Sequence, residues 1–150
     1  MRLAVKEARK NIIRMEGGPF GACIIRTGKM LAASRNTVLI NDATCHAEIN
    51  AIRLASKKLG NFDLSGCVIY STTEPCPMCF SAIHWARLDA VVYGTGIADA
   101  KELGFNELSI PCKKMKTKGK SSVKIFSGFD RIECLRLLRD WGRSERKKLY

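Results

Sequence analysis

Cys67-Val68-Ile69-Tyr70-Ser71-Thr72-Thr73-Glu74-Pro75-Cys76-Pro77-Met78-Cys79-Phe80-Ser81-Ala82-Ile83-His84-Trp85-Ala86-Arg87-Leu88-Asp89-Ala90-Val91-Val92-Tyr93-Gly94 is the stretch from which the fold can be read. Cys67 to Ser71 is an unbroken β-favouring run, Glu74-Pro75 interrupts it, and a helix is predicted from about Cys76 to Ala86. Ala90 to Gly94 is then a second buried strand. Strand, helix, strand in this order implies a right-handed crossover and parallel pairing in the middle of a sheet.

Upstream, Ala47, Ile49, Ala51, Ile52, Leu54, Ala55 and Leu59 predict a helix stopped by Gly60-Asn61, after a polar turn at Asn41-Asp42. Phe20 to Asn36 reads as a hairpin turning at Thr27-Gly28, and Leu3, Val5, Ala8, Ile12 and Ile13 predict an amphipathic helix over Met1 to Met15. Downstream, a short helix around Asp99 to Leu103 is followed by an irregular loop, a mobile basic loop at 113–120 and a last strand at Val123 to Phe126. Asp130 is expected to cap a helix carrying Ile132, Leu135, Leu137, Leu138 and Trp141. No internal repeat is present.

The chain of 150 residues is long enough for one domain spanning 1–150, able to bury roughly 68–70% of the surface its unfolded form exposes. Its apolar runs are too short to span a bilayer and its first residues are broken by charges, so a cytoplasmic protein without a membrane partner is the expectation. Seven scattered cysteines do not form the dense even framework of a small secreted domain. Only Cys76 and Cys79 have metal-ligand spacing; the other five are expected to be buried thiols. The net charge is +12, and residues 101–150 hold 14 Lys/Arg against 6 Asp/Glu, which is +8 of that excess. Such a balance can attract a polyanion or simply solvate a face.

Pro-Cys-x-x-Cys at a helix start puts two thiols on its first turn, where the dipole and orphan amides favour thiolate, the soft ligand that zinc selects. With two histidines in the chain, the economical donor set is His46, Cys76 and Cys79, leaving a fourth position for water. His46 and Glu48 would lie about 200° apart on an ideal helix, so they serve one centre only if it sits beyond the helix N-terminus. Glu48 would then reach the water without binding the metal and act as general base and later as acid. Alone, each motif is equally compatible with a capping Glu48 and a structural cysteine pair. Together, H-x-E and P-C-x-x-C form the signature of zinc deaminases.

These motifs, with Gly17-Gly18-Pro19-Phe20-Gly21-Ala22, Asn41 to Glu48, Ala82-Ile83-His84-Trp85-Ala86-Arg87, Gly104-Phe105-Asn106-Glu107 and Lys147-Lys148-Leu149-Tyr150, resemble the cytidine deaminase-like superfamily, and within it the bacterial guanine deaminases, which are related to tRNA-specific adenosine deaminases. The resemblance runs from about Gly17 to Tyr150. It implies an α/β fold, three-layer α/β/α around a five-stranded mixed sheet, and one zinc ion per subunit. It also implies a homodimer in which the C-terminal helix and tail, about 128–150, can be swapped between subunits. Glu107 is then a pocket carboxylate able to accept from a guanine ring and ferry a proton, and Tyr150 closes a neighbouring site. Asn36 is the candidate substrate-contacting asparagine, while Phe20 and Trp85 are candidate pocket walls. His84 reads as a satisfied edge histidine rather than a metal donor.

The reaction implied is hydrolytic deamination of a purine base, first guanine to xanthine and ammonia. The alternatives are a tRNA adenosine deaminase, which would use the positive charge, a cytosine or nucleoside deaminase, and a non-catalytic zinc-containing RNA-binding module. Nucleic acid is thus the less favoured partner, and a small purine the more favoured one.

Overall fold

The computed structural model describes residues 1–150. Helix α1 (Arg2–Arg14) buries Ala4, Val5 and Ala8 on one stripe and ends at Met15 in the left-handed conformation. Strands β1 (Gly21–Arg26) and β2 (Lys29–Arg35) follow, joined by Thr27 and Gly28 with φ of 47° and 76°. Two successive positive φ values match the right-handed twist of a hairpin, and Gly28 adopts its share without steric cost.

After a one-turn helix, α2 (Val38–Asn41), which the sequence reading did not anticipate, come α3 (Ala47–Leu59), β3 (Cys67–Thr73), α4 (Pro77–Trp85) and β4 (Ala90–Thr95). The remaining elements are α5 (Ile97–Glu102), α6 (Cys112–Gly119), β5 (Lys124–Phe126) and α7 (Arg131–Gly142). The sheet order is β2-β1-β3-β4-β5. β1 is antiparallel to β2 and to β3, pairing Ile24 with Ile69, whereas β3 is parallel to β4 and β4 to β5, pairing Ile69 with Val91 and Val91 with Ile125. The crossover inferred from 67–94 is therefore present.

Helices α1 and α7 pack together on one face, α3 and α4 cover the other, and α6 leans on α4. This is the expected three-layer α/β/α arrangement around a five-stranded mixed sheet. Ala47, Ala51 and Ala55 recur every fourth residue on α3 and are fully buried. Their small side chains let the helix lie close over Ile24 and Ile69, which keeps its N-terminus near the C-terminal end of the central strand β3, where Glu48 meets Ser71. No helix is long and apolar enough to cross a membrane.

Three local expectations are corrected. The basic stretch 113–120 is a helix rather than a mobile loop: Pro111 starts α6, the buried Cys112 N–H donates to Glu74 Oε1 at 2.8 Å, and its thiol donates to the Pro75 carbonyl at 3.2 Å. Lys116 Nζ then fastens the far end to the Val123 carbonyl at 2.7 Å. Lysine is also a good helix former once such anchors exist. Asp130 precedes α7 but makes no capping bond, because its φ of 58° is left-handed and not the extended geometry a capping side chain needs. Among the five other cysteines, Cys45 is only half-buried, its thiol donating to Asp42 Oδ2 at 3.2 Å.

Candidate active site

Two helix N-termini meet at one point. His46 is the N-cap of α3 and Cys76 the N-cap of α4, both in extended backbone with φ near −64° and −63°. The ideal-helix angle between His46 and Glu48 therefore does not apply: His46 stands outside the helix, and its ring reaches forward past the end that Glu48 occupies. Pro77 begins α4, where a missing N–H costs nothing. One turn later Cys79 points to the same spot, fully buried.

One donor atom from each of His46, Cys76 and Cys79 lies within 4.8 Å of the others, and His46 Nδ1 is 3.7 Å from Cys76 Sγ. Tetrahedral zinc with ~2.3 Å sulfur and ~2.0–2.1 Å nitrogen bonds needs an N···S edge of about 3.6 Å. The three donors are soft, correctly spaced and gathered without a fourth protein ligand, so they fit zinc with one position left over.

The charges are organised by the same geometry. Cys76 is held down to about 4, first because the Cys79 thiol donates to it, with His46 adding a further hydrogen bond and charge against the opposing effect of burial. Cys79, which gives up that hydrogen and is buried next to Glu48, is pushed well above the ordinary thiol value. Burial pulls His46 down, but its bond to Cys76 and the Glu48 charge outweigh that and raise it. Glu48 is 5% exposed and raised by burial, partly offset by His46 and by Ser71. Ser71 Oγ donates to Glu48 Oε1 at 2.7 Å, and Cys79 Sγ lies 3.5 Å from Oε2.

The cavity in front of this group is walled by Phe20, Thr73, Glu74, Glu107 and Tyr150. Phe20 and Phe105 meet edge to face at 4.8 Å, and Phe105 in turn meets Tyr150 at 5.5 Å. Glu107 is raised by burial and by the Cys76 charge. The Tyr150 hydroxyl accepts from Gly18 N–H at 3.3 Å and touches the Asn36 side chain, and burial raises this phenol too. Free space in the cavity is about 30 Å³, so a ring substrate enters only with displacement of the Tyr150 side chain. The tail thus reaches the cavity of its own chain.

Asn36 lies behind Tyr150, 1% exposed, with Oδ1 accepting from Val38 N–H at 3.1 Å and Nδ2 without a partner. Gly17 makes this possible, since a Cβ there would sit 2.1 Å from Asn36 Oδ1. Trp85 does not wall the cavity of this chain. It ends α4, roughly 12 Å along the helix axis from its N-terminus at 1.5 Å per residue, and is 75% exposed. His84 is satisfied, as expected, with Nδ1 3.0 Å from Ser121 Oγ. Sequence reading missed Ser71, Thr73 and Glu74. All three lie at the C-terminal end of a strand before a helix, the usual ligand crevice of open α/β sheets, which was the available signal.

The family model for the cytidine and deoxycytidylate deaminase zinc-binding region matches residues 1–95. A guanine deaminase of Bacillus subtilis is 45% identical over 108 residues, covering 71% of this chain and 69% of the relative. A tRNA-specific adenosine deaminase of Agrobacterium fabrum is 37% identical over 150 residues, covering 97% and 93%. Among solved structures, a guanine deaminase from Nitrosomonas europaea superposes with a TM-score of 0.83 at 31% identity, covering 93% of this chain and 80% of that one.

Proposed function

Because the chain belongs to the cytidine and deoxycytidylate deaminase family, we propose that it hydrolytically removes the amino group of a purine base, guanine first, giving xanthine and ammonia. The single observation that carries the hydrolytic reading is the buried Glu48 carboxyl beside a three-donor group with an open fourth position. The purine preference is supported by the relatives, one acting on guanine and one on adenosine in tRNA, and by the two aromatic side chains, Phe20 and Tyr150, that border the cavity.

His46, Cys76 and Cys79 would hold one zinc ion per chain, which supplies a water activated near neutral pH. Glu48 would take a proton from the nucleophile and pass it to the ring nitrogen next to the reacting carbon. Ser71 fixes the carboxyl rotamer through Oε1, leaving Oε2 beside the Cys79 sulfur at the donor group. Phe20 and Tyr150 would border the ring and exclude water once the Tyr150 side chain has given way to it. The Asn36 amide, whose Nδ2 is unpaired, would donate to a ring acceptor, and Glu107 would accept from ring N–H or amino groups and carry a proton toward departing ammonia. We also read residues 1–150 as one domain of a cytoplasmic homodimer whose 128–150 segment can exchange between subunits.

A tRNA adenosine deaminase is the second reading, favoured by one observation: the tRNA-specific relative aligns along more of the chain than the guanine deaminase does. Ammonia release from guanine, adenine, cytosine and a tRNA anticodon stem-loop, measured side by side on the zinc-loaded protein, separates these readings. Guanine turnover alone is expected. Turnover of only the stem-loop overturns the guanine assignment, and zinc-dependent RNA binding without any deamination overturns catalysis altogether.

A further inference from the structure

The stripe that α1 buries against the sheet runs Ala4, Val5, Ala8 and then Asn11. The first three are small and apolar, as a core stripe requires, whereas Asn11 is a fully buried amide whose Oδ1 has no partner. An unanswered polar atom in the core costs stability, so packing alone does not account for an asparagine there.

Its nitrogen, by contrast, is fully used. Asn11 Nδ2 donates to the Gly18 carbonyl at 2.8 Å and to the Asn36 carbonyl at 2.7 Å. Both partners are acceptors only, so turning the amide over would set its oxygen against two carbonyl oxygens. The two bonds complete a closed ring of contacts: Phe20 N–H donates to the Gly18 carbonyl at 2.8 Å, and Asn36 N–H donates to the Phe20 carbonyl at 3.0 Å. The wall of the cavity hangs on that ring. Phe20 lines the cavity, Gly18 N–H donates to the Tyr150 hydroxyl at 3.3 Å, and the Asn36 side chain touches the same hydroxyl. From the opposite helical layer, Asn50 Nδ2 on α3 donates to the preceding carbonyl, that of Arg35, at 3.1 Å. Asn36 is therefore gripped at two successive carbonyls by asparagines from the two sides of the sheet, and Asn11 is the one that also holds the turn before Phe20.

We infer that Asn11 is a positioning residue for base binding, fixing the backbone at Gly18 and Asn36 and so setting where the Asn36 amide and the Phe20 ring meet the substrate. It does not line the cavity itself. The inference rests on the reading of Asn36 as a donor to the ring, and it extends that reading to the first helix of the chain. The donor group of His46, Cys76 and Cys79 stands on α3 and α4 and has no bond to Asn11, so the metal site is independent of it.

The test compares the zinc-loaded full chain with Asn11→Ala, Asn36→Ala and Asn11→Ala/Asn36→Ala, on the base that the parent turns over. Asn11→Ala is expected to raise KM about fivefold or more with kcat within about twofold, because binding lost equally from ground and transition states moves KM alone. Zinc should stay near one per chain. The double variant should have a KM within about twofold of Asn36→Ala, since residues acting through one another are not additive. Asn11→Leu, which fills the space without a donor, repeats the comparison should Asn11→Ala fail to fold. Parental KM in Asn11→Ala overturns the inference, as do effects that multiply in the double variant. Loss of zinc together with kcat overturns it too, by showing a general loosening of the fold. Raised KM in Asn36→Ala beside parental KM in Asn11→Ala removes the inference alone. Parental KM in Asn36→Ala removes the substrate role of Asn36 and the inference with it, and a parent that turns over no base removes the proposed function and both.

Discussion

The two ends of α4 are opposites built on nine residues. At the N-terminal end the polar side chains answer one another: Cys76 by His46, Glu48 by Ser71, Cys79 by Cys76 and Glu48. At the C-terminal end Trp85 stands in solvent, with Arg87 and Lys124 beside it. A helix N-terminus concentrates partial positive charge and unsatisfied N–H groups, so it gathers thiolates and carboxyls. The far end has no such focusing, and its residues are free to present a surface. One helix therefore separates an enclosed cluster of metal-type donors from an open, solvent-facing end.

Removing the carboxyl at the enclosed end should give the largest effect. Glu48→Ala is expected to lower turnover by on the order of 10²–10⁴-fold while zinc, measured by atomic absorption, stays near one per chain. A variant that keeps zinc and full ammonia release would erase the distinction drawn between the two ends. Cys79→Ser, or prolonged chelation of the parent, should empty the metal site and lower Tm by several degrees, because ligand binding to the folded state adds directly to stability. Unchanged Tm in calorimetry after metal loss would mean that the enclosed end is held by packing alone. Ser71→Ala should be milder, about tenfold in kcat with zinc content and KM nearly unchanged, since only the orientation of Glu48 is released. Ser71→Thr, which keeps the hydroxyl, should restore most of it. Smallest of all, Trp85→Ala should shift the urea midpoint by less than about 0.5 kcal/mol equivalent, as expected for an exposed position. A large loss there would show that the open end is structural after all.

Much of this contrast was legible in the residues. The periodicity of 67–94 specifies the parallel crossover, and the spacing of His46, Cys76 and Cys79 specifies the donor set, because both are encoded by neighbours in the chain or by residue types with few alternative uses. What escaped was decided by distant partners. The helix α6 exists because Glu74 and Pro75 receive Cys112 from 37 or 38 positions away, and a lysine run gives no hint of that. Asp130 has the composition of a cap and the backbone of a turn. Trp85 sits in a motif next to pocket residues, yet helix length carries it to the opposite end. Ser71 looked like one more β-favouring residue, and only the antiparallel register of β1 on β3, Ala22 against Ser71, turns it under α3 toward Glu48.

That register also sets the order in which the molecule can assemble. β1 meets β3 by closing a loop of 49 positions from Ala22 to Ser71, whereas β1 and β2 close across a two-residue turn. A topology so dependent on distant pairing is expected to fold in milliseconds to seconds rather than microseconds. His46 and Cys76 flank β3 and are brought within reach of one another only when that strand docks between β1 and β4. The metal site is therefore a late event of folding, and an ion captured there seals a sheet already closed instead of nucleating it.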